Sequence, residues 1–131
     1  MKVLKKNMPK RLAAQVIYRD ALYLVRILIE CFMMVRVAIN GCGRIGRCII
    51  RVLFETGLNK NICLVAVNDL ADLSLNCHLI KYDSTHGIFT KDVVSRADRL
   101  TIDETDVRYF NESNPAALPW GELGIDVVLE C

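Results

Sequence analysis

Six consecutive residues, Gly41-Cys42-Gly43-Arg44-Ile45-Gly46, carry the most legible chemistry in this chain. Their spacing is G-x-G-x-x-G. In such a loop the first glycine permits a tight turn and the second lets a phosphate approach the backbone. The third lets the following helix pack closely on the preceding strand. Free N–H groups at the helix start, near Arg44 and Ile45, can hold pyrophosphate oxygens. A carboxylate roughly 20 residues further on accepts hydrogen bonds from a ribose in sites of this kind. Asp69 stands 23 residues past Gly46. The pattern points to a bound dinucleotide. A tight strand-to-helix turn without a ligand, and the glycine loop and acid of a methyltransferase, are alternatives on spacing alone. A P-loop is excluded, because no Gly-Lys-Ser/Thr follows.

A glycine loop works only between the right elements, and the flanking residues predict them. Val35 to Ile39 is a short β-branched run that reads as a strand. Arg44 to Glu55 carries apolar residues at Ile45, Cys48, Ile49, Val52 and Leu53, which is helical spacing. Thr56-Gly57 ends that helix with Gly just past its last turn. Ile62 to Val67 is continuously apolar, as in a parallel strand covered on both faces. Asp72 or Ser74 caps a short helix toward Leu79-Ile80. Lys81 to Thr90 reads as a loop. Strands are expected at Val93–Ser95, Arg99–Ile102, Val107–Phe110 and Ile125–Leu129, with Asp103, Glu104 and Asp106 at a solvated hairpin tip. Strand, helix, strand, excursion, strand is an α/β plan.

Composition bounds the rest. The chain has 131 residues, 53% hydrophobic and 24% charged, which suits one globular domain and excludes a disordered chain. The net charge is +2, but residues 1–33 carry +5 and residues 34–131 carry −3. That sign change divides the chain into segments of different origin. Residues 1–33 hold a Lys-rich start and an apolar stretch interrupted by Arg19, Asp20, Arg26 and Glu30. The stretch is too broken for a spanning helix, although an amphipathic surface helix is permitted. We expect residues 1–33 to be an N-terminal extension outside the domain, with Met33 or Met34 as the natural start. The six cysteines lack C-x-x-C spacing, and Cys48 and Cys63 lie in apolar runs, as reduced, buried thiols do. No metal site is expected. His78 and Arg47 read as ordinary helix residues, His86 as part of a polar loop, and Trp120 as a cover over the sheet edge.

Several segments together resemble the glyceraldehyde-3-phosphate dehydrogenase family. They are Val37-Ala38-Ile39-Asn40-Gly41-Cys42-Gly43-Arg44-Ile45-Gly46-Arg47, Ala66-Val67-Asn68-Asp69-Leu70, His78 through Gly87, and Leu118-Pro119-Trp120-Gly121-Glu122-Leu123-Gly124. The matches run in family order from about Val35 to Cys131, and residues 1–33 match nothing in it. The resemblance implies a Rossmann-type NAD-binding domain with a mostly parallel sheet, C-terminally truncated, over residues 34–131. It implies NAD as cofactor, with Asn40, Gly41, Gly43, Arg44, Ile45 and Gly46 at the pyrophosphate and Asp69 at the adenosine ribose. Ser113 takes the adenine position, where many members carry Arg. Cys42 replaces a usual aromatic residue. The family's catalytic Cys, in a Ser-Cys-Thr-Thr-Asn context, and its His base are absent from this sequence, so no catalytic residue is assigned. By resemblance the full protein oxidises a phosphorylated aldehyde in glycolysis, as a cytoplasmic homotetramer, without a nucleic-acid or membrane partner. The slightly long helix between the first two strands resembles the erythrose-4-phosphate dehydrogenases, which makes that activity an alternative. A non-catalytic nucleotide-binding product is another.

Overall fold

A computed structural model describes residues 34–131. The expectations for residues 1–33 lie outside the described residues. The chain runs β1 (Val35–Asn40), α1 (Arg44–Glu55), a 3-10 turn (Leu58–Lys60), β2 (Ile62–Asn68), α2 (Leu73–Lys81) and the short pair β3 (Tyr82–Asp83) and β4 (Gly87–Ile88). Then follow β5 (Val93–Arg96), β6 (Arg99–Ile102), β7 (Thr105–Phe110), a second 3-10 turn (Pro115–Ala117) and β8 (Val127–Glu130). Six strands form one sheet in the order β5-β6-β7-β2-β1-β8. β7, β2, β1 and β8 are mutually parallel, and β5 and β6 add an antiparallel edge. This is the expected α/β Rossmann-type plan. Strand order reverses at β1, which has β2 on one side and β8 on the other. In open α/β sheets the crevice beyond the strand ends at such a point is where ligands bind.

The glycine loop decides how α1 sits. A Cβ on Gly46 would overlap the carbonyl oxygen of Gly41 and lie 3.2 Å from Ile39 Cγ2. That close approach turns Gly46 toward β1, and Ile50, Leu53 and Phe54 are buried with it. Ile45 and Val52 face outward instead, at 65% and 49% exposure. Of the expected stripe, Leu53 is buried in the core and Ile49 packs against it, while Ile45 and Val52 fall outside the packed face. The helix is strongly amphipathic, and Gly46 lies on its packed side, where the missing Cβ lets the backbone approach β1. Gly57 stops the helix in the left-handed conformation, φ +75°.

Other expectations shift as well. Lys81–Thr90 contains the β3–β4 hairpin, shaped from inside by Arg51. Although charged, Arg51 is buried, donates to the carbonyls of Ile80 and Gly87 at 3.1 Å, and lies over the Phe89 ring. Asp83 accepts from the N–H groups of His86 and Thr85, which hold its carboxyl down at about 2. Asp106 is not at the hairpin tip but within β7, where it accepts from the Thr101 hydroxyl across the ladder. The β8 strand starts at Val127, two residues later than expected; just before it the Asp126 carboxylate accepts from the Arg36 N–H at 2.8 Å. The core gathers Ile39, Ile50, Leu64, Val67, Ile80, Phe89, Leu100, Ile102 and Val107 from both sheet and helices. Cys42 and Cys77 are buried in it, whereas Cys48 and Cys63 are only half-buried; all four are free thiols.

Candidate dinucleotide site

At the carboxyl ends of β1, β2 and β7 lies an open cavity of about 330 Å³, lined by Asn40, Gly41, Asn68, Asp69, Ser113 and Pro115 among others. Gly41 makes the turn out of β1 with φ +97°, a conformation that side chains resist. Its N–H donates to the Asn68 carbonyl at 2.8 Å. Gly43 is the N-cap of α1, and no side chain caps the helix there. The N–H groups of the first turn, at Arg44 and Ile45, point out of the helix without intrahelical partners. They form the positive end of its dipole, which favours an anion.

The two flanking glycines have structural reasons to lack a Cβ, and Gly43 has none. A Cβ on Gly43 would meet no protein atom within 4 Å, and its φ of −73° suits any residue. The open space over Gly43 fits a phosphate that must lie against bare backbone.

Asp69 has two duties. Its Oδ2 accepts from the Cys42 N–H at 2.6 Å and its Oδ1 from the Ala71 N–H at 2.8 Å. It thereby ties the glycine loop to the end of β2. A carboxylate offers about four acceptor positions, so capacity is left for ribose hydroxyls. Asn40 donates from Nδ2 to both Glu130 oxygens, at 3.0 and 2.9 Å.

The structure brings Asn40, Gly41, Asp69 and Ser113 to one cavity and places Gly43, Arg44, Ile45 and Gly46 on the adjoining loop and helix start. His78 and His86 lie elsewhere. The His78 ring lies 4.9 Å from the Tyr82 ring, tilted at 45°, and His86 contacts Asp83 through Nδ1 at 3.1 Å. Trp120 packs edge-on against Phe110 and is half-buried.

Three supporting residues escaped the sequence reading. Arg47 is not an ordinary solvated residue: its Nη1 donates to the Cys42 carbonyl at 2.7 Å, and its Nε is buried without a partner. It holds the peptide between Cys42 and Gly43 from beneath. Tyr109 donates to the Ala71 carbonyl at 2.8 Å and accepts from Asn76 Nδ2 at 2.6 Å, bracing the turn after Asp69. Asn68 is the third. Arg47 lies on the loop's own helix, and only its closeness to the glycines hinted at it. Nothing marked Tyr109, whose partner segment is 38 residues away.

Burial pushes the Tyr109 phenol up to about 12 from an ordinary 10.0. A group with a raised folded pKa supports the fold fully below its unfolded pKa and loses that support as pH rises through the folded one. Stability should therefore fall between about pH 10 and 12. Ultraviolet titration of the tyrosines should show one phenol ionising near 12, absent in Tyr109→Phe.

Burial also pushes the Cys42 thiol up to about 12 and the Cys77 thiol to about 11. The Cys131 thiol is raised too, by partial burial and the neighbouring Glu130. At neutral pH these three are thiols rather than thiolate nucleophiles.

A parallel sheet with its switch point at β1, a glycine loop opening α1 and an acid closing β2 define a Rossmann-type NAD-binding domain. The family described as glyceraldehyde 3-phosphate dehydrogenase, NAD binding domain, matches residues 35–131, and the chain belongs to that family.

Proposed function

We propose that the chain forms the cofactor-binding part of a phosphorylating glyceraldehyde-3-phosphate dehydrogenase working in cytoplasmic glycolysis. The observation that carries the reading is the bare backbone at Gly43, where a Cβ would meet no protein atom within 4 Å, at a helix start without a side-chain cap and one residue from the Cys42 N–H that Asp69 accepts from. The N–H groups of Arg44 and Ile45 bind the pyrophosphate, Asp69 accepts from the adenosine ribose, and Ser113 borders the adenine. Bound NAD supplies a hydride acceptor. The residues described here bind and orient it; no step of the aldehyde chemistry is assigned to them. Among the described residues no histidine shares a hydrogen bond with a cysteine, so none pairs a nucleophile with a base.

Erythrose 4-phosphate is the second substrate reading, on the resemblance of the helix between the first two strands to the erythrose-4-phosphate dehydrogenases. A homotetramer belongs to the proposal as well, and Tyr82 and Ile88, 51% and 68% exposed on the β3–β4 hairpin, give copies an apolar surface on which to meet. The −3 charge of residues 34–131 speaks against a nucleic-acid partner.

The 131-residue chain, mixed with NAD, phosphate and either aldehyde, should bind NAD and form no NADH, and Cys131→Ser should change neither result. NADH formation abolished by Cys131→Ser would make Cys131 a nucleophile and overturn this assignment. Extending the reading frame past Cys131 tests the substrate. A downstream Ser-Cys-Thr-Thr-Asn, with faster NADH formation from glyceraldehyde 3-phosphate, is expected; faster turnover of erythrose 4-phosphate selects the second reading.

A further inference from the structure

Asn68 is the last residue of β2, one position before Asp69. It is 5% exposed, and both polar atoms of its side chain are engaged. Oδ1 accepts from the Glu112 N–H at 2.9 Å. Nδ2 donates to the Glu112 carbonyl at 2.9 Å and to Asn40 Oδ1 at 2.8 Å.

The two contacts with Glu112 imitate a rung of the sheet. Backbone pairing of β2 with β7 ends at Asn68 and Phe110, with a last bond from the Asp69 N–H to the Phe110 carbonyl. The Asn68 amide then pairs with the main chain two residues further on. There the chain leaves the sheet for Ser113 and Pro115, which border the cavity. The contact with Asn40 works in the opposite direction. It turns Asn40 Oδ1 toward β2, and so turns Asn40 Nδ2 toward Glu130 on β8. One line of side chains, Glu130–Asn40–Asn68, thus runs to the Glu112 main chain and spans the ends of β8, β1, β2 and β7. Both flanks of the cavity are referenced to one amide.

We propose that Asn68 is a positioning residue of the dinucleotide site. It acts through Asn40 and the main chain of Glu112, and sets the separation between Asn40 and the Ser113 loop that NAD needs between its pyrophosphate and its adenine. The proposal rests on the cofactor reading of this cavity. Simple polar satisfaction would require no effect on binding once the protein is folded. Positioning requires an effect that follows the two donated bonds.

Asn68→Asp separates the two. The new carboxylate has nearly the shape of the amide and still accepts from the Glu112 N–H, but when ionised it donates to neither Asn40 nor the Glu112 carbonyl. NAD affinity of the full chain, measured by calorimetry at pH 8, should fall about tenfold, the scale of one or two lost hydrogen bonds. As pH is lowered to 6 the carboxyl, buried and near Glu130, Asp69 and Glu112, regains its proton and one donated bond, and affinity should recover. Wild-type chain carries the same three neighbouring acids and should show no such recovery. Thermal unfolding at each pH reports the fold separately. Equal affinity of N68D and wild type at pH 8, or a loss that pH does not reverse, overturns the assignment. If N68D fails to fold, Asn68→Ser is measured instead: about tenfold weaker binding supports positioning, and unchanged affinity overturns it. Wild-type chain that binds no NAD contradicts the cofactor reading itself.

Discussion

Gly46→Ala should destabilise the fold by more than about 3 kcal/mol, with the loss visible in urea denaturation without any ligand. Helix propensity alone predicts the reverse, since Ala is favoured over Gly by about 1 kcal/mol inside a helix. The contact wins because the added methyl overlaps a backbone oxygen, that of Gly41, which cannot swing aside as a flexible side chain would. Relief would need α1 to lift from β1, separating Ile50 and Leu53 from Ile39 in the core. A variant as stable as the parent would mean that α1 does not lie on β1 as described.

Gly43→Val should do the opposite. Its Cβ meets no protein atom, its backbone is extended, and a β-branched residue adopts that conformation readily. The loss of a good N-cap residue costs about 1 kcal/mol or less, a shift of roughly 5 °C in Tm. NAD affinity should fall about 100-fold or more, because the branched carbons fill the space the phosphates take. Two charge-assisted hydrogen bonds at about 1.4 kcal/mol each account for that factor. Calorimetry with NAD beside a thermal melt checks both halves. A folded variant that binds NAD unchanged would reduce the glycine run to a turn. The paired substitutions thus divide one motif into a glycine that the fold requires and a glycine that the ligand requires.

Much of this was legible in the residues. Val35–Ile39 and Ile62–Val67 declared themselves as strands because buried parallel strands are continuously apolar, and Gly57 and Asp72 marked helix ends through local chemistry. Gly41, Gly43, Gly46 and Asp69 were legible for the same reason, since their spacing encodes a turn and a strand end. The packed face of α1 was legible only in part: Ile49 and Leu53 pack as their spacing indicated, but Ile45 and Val52 are as apolar as Ile50 and stay exposed. Arg51 inside the hairpin, Tyr109 behind the Asp69 turn and Asn68 across four strand ends were also hidden. Each is a polar residue whose partners lie 28 to 44 positions away, and its sequence neighbours carry no trace of them. Arg47 was misread because its partner, the Cys42 carbonyl, is a backbone atom.

Calorimetric titration of the 131-residue chain with NAD and with NADP decides whether this loop and Asp69 form an NAD site. Asp69 accepts from ribose hydroxyls and repels a 2′-phosphate, a like-charge contact costing on the order of 1 kcal/mol or more. Saturable binding of one NAD per chain is expected, with NADP at least about tenfold weaker. NADP bound as tightly as NAD, or neither bound, would contradict it.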